Sequence, residues 1–134
     1  MGKPFFNANE RIPILTYGGK TMEKLNANVA IQVLPSVQGD EEVVRVVDAV
    51  IDYIRSTGVE YYVGPCETAM EGDYEELMEI VKQCQYIAIE AGAPSVMSYV
   101  KITYKPEGEK LTIERKTAKH HKHDLAKSMK DKTA

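Results

Sequence analysis

The side chains with chemical reach fall into three groups. His120, His121 and His123, with Lys122 among them and Asp124 after, are the only histidines of the chain. Histidine is a common metal ligand, but no cysteine and no carboxylate apart from Asp124 stands at ligand spacing in an element able to hold a geometry. The cluster sits in a polar, basic run and is expected to be solvated tail, with no metal. Cys66 follows Gly64-Pro65 at an expected strand start. A thiol nucleophile needs a base within reach, and every histidine lies in the tail, so Cys66 is expected to be inert. Glu67 and Glu71 share a strand face. Four residues of strand separate them by about 13 Å, too far for a carboxylate pair to work across one bond. Gly18-Gly19 opens no helix of a βαβ unit, so it is no phosphate loop. No catalytic set emerges, and the expectation is a protein that binds without catalysing.

Tyrosine is the other conspicuous residue, eight of them against no tryptophan. Tyr61, Tyr62, Tyr74, Tyr86, Tyr99 and Tyr104 suit an interface, where the ring is buried and the hydroxyl satisfied. A ring of this kind can also stack a flat heterocycle.

The elements that must position these residues follow from hydrophobic period. In Asn28–Leu34, Val29, Ile31 and Val33 share one strand face; Ala30, Gln32 and Leu34 share the other, with Gln32 a polar residue in mid-strand. Pro35 ends the strand. Asp40–Ser56 is a helix, with acidic residues in its first turn and a stripe of Val43, Val46, Val47, Val50, Ile51 and Ile54. Gly58 stops it. Val59–Val63 and Cys66–Glu71 form a hairpin across Gly64-Pro65. Asp73 caps a second helix, Asp73–Ala91, with Glu76 at capping-box spacing. Its stripe includes Cys84, which reads as core. Gly92 and Pro94 close it. Ser95–Tyr104 is the longest strand, and Leu111–Arg115 is expected to return as a fifth. Pro13 restricts Ile12–Tyr17 to a short edge strand.

The order β-α-β-β-α-β with two right-handed crossovers gives a ferredoxin-like α+β sandwich. It has an antiparallel sheet, both helices on one face and an extra C-terminal strand. Residues 1–27 read as an N-terminal extension, 28–116 as the domain and 117–134 as a basic, His-containing flexible tail. The face bearing Ala30, Gln32, Leu34, Met97 and Tyr99 is left bare, which calls for a partner sheet and a homodimer or homotetramer.

Composition bounds the rest. The 134 residues suffice for one domain, and 43% hydrophobic with 28% charged is ordinary for a globular protein. A net charge of −3 supplies no positive field for nucleic acid. No apolar run approaches the ~20 residues of a membrane span. The first residues lack the apolar core of a secretory signal, and the two cysteines lie far apart. A cytoplasmic location is therefore expected.

Three stretches carry a family resemblance: Asn28-Val-Ala-Ile-Gln-Val-Leu-Pro35, Tyr62-Val-Gly-Pro-Cys-Glu-Thr-Ala-Met-Glu-Gly-Asp73 and Val96-Met-Ser-Tyr-Val-Lys-Ile102. The chain resembles the small thiamine-binding protein family over about residues 28–115. The resemblance implies a ferredoxin-like fold and dimers or tetramers built by sheet packing. It also implies thiamine or its hydroxymethylpyrimidine portion as ligand, with no cofactor and no catalytic activity. This chain departs from the family in having Glu67 where glycine is usual. Such a ligand joins a flat aminopyrimidine to a cationic thiazolium. Gln32 and Thr68 are the candidates to read the pyrimidine, Tyr62, Met70 and Tyr99 to flank it, and Glu71 to balance the charge. The alternative is an ACT-like regulatory or structural interaction domain with another small ligand or a protein partner.

Overall fold

Alternation along the first long strand sets the layers. In β3 (Ala27–Pro35) Val29, Ile31 and Val33 are buried, and they join one core with Val46, Val50 and Ile54 of α1 (Asp40–Thr57) and Leu77, Ile80, Cys84 and Ala88 of α2 (Tyr74–Glu90). Both helices therefore lie on the same sheet face. The computed structural model describes residues 16–17, 20–21, 25–108 and 111–120. Its other elements are a two-residue antiparallel pair, β1 (Thr16–Tyr17) and β2 (Lys20–Thr21), then β4 (Glu60–Val63), β5 (Thr68–Gly72) and β6 (Val96–Tyr104).

The four-stranded sheet has the order β4-β5-β3-β6, antiparallel throughout, which is the ferredoxin-like arrangement expected. Register sorts the faces. Val29 is paired with Met70 and Ile102, and Ile31 with Thr68 and Val100, all on the helix face. Gln32 is paired with Tyr99, Leu34 with Met97 and Ala30 with Ala69 and Lys101, all on the opposite face.

Helix ends form where the chemistry favours them. Asp40, Glu41 and Glu42 open α1, and Gly58 closes it at φ 79°, a left-handed cap that costs glycine little. The Asp73 carboxylate accepts the N–H groups of Glu75 and Glu76, while Asn26 Oδ1 accepts that of Tyr74 at 2.7 Å. The start of α2 is thus tied to the residue that precedes β3.

Three expectations are corrected. Leu111–Arg115 is not a fifth strand: a helix, α3, runs from 113 to 120, so residues 117–120 are helical too. Thr112 Oγ1 accepts the Arg115 N–H at 3.1 Å, and the Glu71 carboxylate accepts the Ile113 N–H at 3.1 Å. Those two bonds supply donors' partners that a strand edge would have lacked. The face opposite α1 and α2 is not wholly bare either, because α3 lies across part of it, near Asn28, Ala30 and Ala69. In addition β5 begins at Thr68, so Cys66 and Glu67 belong to the turn. Of the expected edge strand Ile12–Tyr17, Thr16–Tyr17 is β1; its remainder, and His121, His123 and Asp124, lie outside the described residues. Among the described residues no helix is long and apolar enough to cross a membrane.

Candidate functional site

The apolar stripe of α1 is wider than the core consumes. Val46, Val50 and Ile54 are buried, while Val43, Val47 and Ile51, one turn apart, stay half-buried and wall a cleft. β3 from Ile31 to Leu34 forms its floor, and the β4–β5 hairpin from Val63 to Thr68 its far side. The cleft measures about 240 Å³.

The hairpin owes its tightness to Gly64. The Gly64 N–H donates to the Glu67 carbonyl at 2.8 Å, and a Cβ on Gly64 would stand 2.9 Å from that oxygen. Only glycine allows this approach. The turn sets Val63 opposite Thr68 and holds Pro65, Cys66 and Glu67 at the rim.

Thr68 is 6% exposed and supplies the one hydroxyl among residues otherwise dominated by valine and isoleucine. It lies on the helix face, beside Ile31. Two carboxylates, Asp48 of α1 and Glu67, give the rim negative charge. The Lys101 ammonium donates to Glu67 Oε1 at 2.9 Å from the sheet's other side. A flat apolar body with one hydrogen-bonding edge and a cationic end would match this distribution of groups.

The two thiols differ. Cys66 is exposed at the rim; Cys84 is buried, and burial pushes its thiol up to about 12. A thiol so disposed is no nucleophile at neutral pH. Among the described residues no group of three or more His, Cys, Asp or Glu side chains could hold a metal ion.

The six residues singled out in the sequence are not brought together. Gln32 and Thr68 both border the cleft, but register puts their Cβ atoms on opposite faces. Met70 is fully buried on the helix face. Tyr62 lies opposite Ala69 on the other face and borders a second hollow, beneath α3. Tyr99 is 59% exposed beside Gln32, and the Glu71 carboxylate is engaged with the start of α3. The residues missed were Val43, Val47, Ile51 and Asp48. Their signal was available: a stripe with two parallel rows at spacing four, of which a core strand pair needs one.

Comparison with known proteins agrees with this architecture. The profile of the thiamine-binding protein family matches residues 29–121. A UPF0045 protein of Clostridium perfringens is 53% identical over 93 residues, which span 69% of this chain and 95% of that protein. Among solved structures, a domain of unknown function, DUF77, from Bacillus cereus has a TM-score of 0.65 at 33% identity, covering 73% of this chain and 92% of its own. A Thermotoga maritima protein, whose proposed role is thiamine biosynthesis or salvage, has a TM-score of 0.61 at 38% identity, covering 71% and 98%.

Proposed function

The chain belongs to the thiamine-binding protein family, and on that footing we propose that it binds thiamine, or the hydroxymethylpyrimidine portion of it, in the cleft beneath α1, without catalysing its conversion. The observation that supports this reading is the buried Thr68 hydroxyl at the base of an apolar cleft with Asp48 and Glu67 at its rim. The aminopyrimidine takes the hydrogen bond at Thr68 and packs against Val47 and Ile51. The thiazolium remains at the mouth, where the two carboxylates attract it.

Size supports that orientation. Pockets for drug-sized ligands hold roughly 300–1,000 Å³, and this one holds about 240 Å³. One ring fits inside and the second stays in the opening. The assembly is a cytoplasmic homo-oligomer, whose contact surface is the part of the open face that α3 leaves uncovered. Leu34, Met97 and Tyr99 are all exposed there.

Titration calorimetry with thiamine and with hydroxymethylpyrimidine tests the reading. Comparable heats for both compounds support it; no heat with either overturns it. A response to thiamine that Asp48→Asn leaves unaltered keeps the ligand and rejects the placement of the thiazolium.

A further inference from the structure

The hollow beneath α3 is separate from the cleft and measures about 310 Å³. Ala30 and Ala69, cross-strand partners, make its floor, and their small side chains are what leave the space. Ile113, Lys116 and Thr117 of α3 roof it. Asn28 stands at one end, 9% exposed. Its Nδ2 donates to the Leu111 carbonyl at 2.9 Å, which fixes the orientation of the amide, since the reverse would set oxygen against oxygen. The Asn28 Oδ1 is buried and has no hydrogen-bond partner among the described residues. A buried acceptor of this kind is kept unmade at a cost and calls for a donor.

A charge pair lies two strand residues along from Asn28. Lys101 borders the hollow opposite Ala30, and its ammonium is paired with Glu67. Lys116 adds a second cation, so the lining holds one positive charge in excess. Asn28 and the Ala30–Lys101 level are two strand residues apart, about 6.6 Å.

We propose that this hollow is a second ligand site, for a small flat carboxylate carrying a hydrogen-bond donor at the end opposite its carboxyl group. The donor satisfies Asn28 Oδ1, the carboxylate lies between Lys101 and Lys116, and the flat body rests on Ala30 and Ala69. An α-amino acid holds its two polar groups on neighbouring atoms and does not span the distance. A para-substituted benzoate does. The proposal does not rest on the thiamine reading, because no element but Glu67 is common to both sets of polar groups.

The test uses the full chain and 4-hydroxybenzoate as probe, followed by amide NMR shifts. Saturable shifts are expected at Ala30, Ala69 and Ile113. Benzoate, which lacks the donor, should bind at least tenfold more weakly to the same wild-type protein. Ala69→Leu fills the floor without removing a hydrogen bond and should abolish the response to 4-hydroxybenzoate while leaving that to thiamine in place. No saturable shift in the wild type, shifts confined to cleft residues such as Val47 and Thr68, or equal affinity for benzoate would each overturn the proposal.

Discussion

A hydroxyl among methyl groups is the smallest unit on which function here can turn. Losing a buried ligand hydrogen bond costs about 1–3 kcal/mol, so Thr68→Ala should weaken thiamine binding roughly tenfold to a hundredfold. Gln32→Ala, with its Cβ on the opposite face, should change it no more than a few-fold. Calorimetry on both variants checks the contrast, and equal losses would mean that the Gln32 side chain reaches the ligand, against its place on the opposite face. The two thiols give a second residue-scale expectation. Iodoacetamide at mildly alkaline pH should modify Cys66 and spare Cys84, whose thiol stays protonated and inaccessible. Mass spectrometry reporting two modifications on folded protein would contradict the burial of α2. That Cys84 is core was legible in the sequence, because it falls on the helical stripe. Which face Thr68 occupies relative to Gln32 was not, since it depends on the register between β5 and β3, where Thr68 pairs with Ile31 rather than with Gln32.

At the level of elements, strands and the two long helices were legible because each carries its own period and its own cap. The Asp73 cap should be worth about 1 kcal/mol, and thermal unfolding of Asp73→Ala should show a loss of that order. α3 was illegible for the opposite reason. Leu111-Thr-Ile-Glu-Arg115 alternates at the strand period, and what makes it helical comes from elsewhere. Glu71 accepts from Ile113 across 42 residues, and Asn28 holds the Leu111 carbonyl across 83. The bonds from the Arg115 and Lys116 N–H groups to Thr112 are local. Glu71→Ala should therefore raise hydrogen exchange at Ile113 and through the first turn of α3, with the amides of β3 and α2 unchanged. Unchanged protection at Ile113 would show that Thr112 alone starts the helix.

The molecule as a whole uses both faces of one sheet. The helix face is covered by α1 and α2 except at the cleft; the other is divided between α3 and an exposed patch of Leu34, Met97 and Tyr99. Stable interfaces bury about 1,600 Å² in total. Light scattering at micromolar concentration is expected to give at least twice the mass of one chain, with Tyr99→Glu returning it toward a single chain. A single-chain mass for the unaltered protein would reject the oligomer. The bare face was legible in outline from strand parity, and its partial cover was not, because that cover is α3. Glu67 has a consequence at this scale, since it borders both hollows, one on each side of the sheet. A carboxylate common to two compartments makes their occupancies reciprocal: the factor by which a guest in one alters affinity in the other must equal the factor in reverse. Such a chain would report two concentrations through one binding curve, and neutralising the shared charge with Glu67→Gln would silence that crosstalk and weaken the hold on the thiazolium as well.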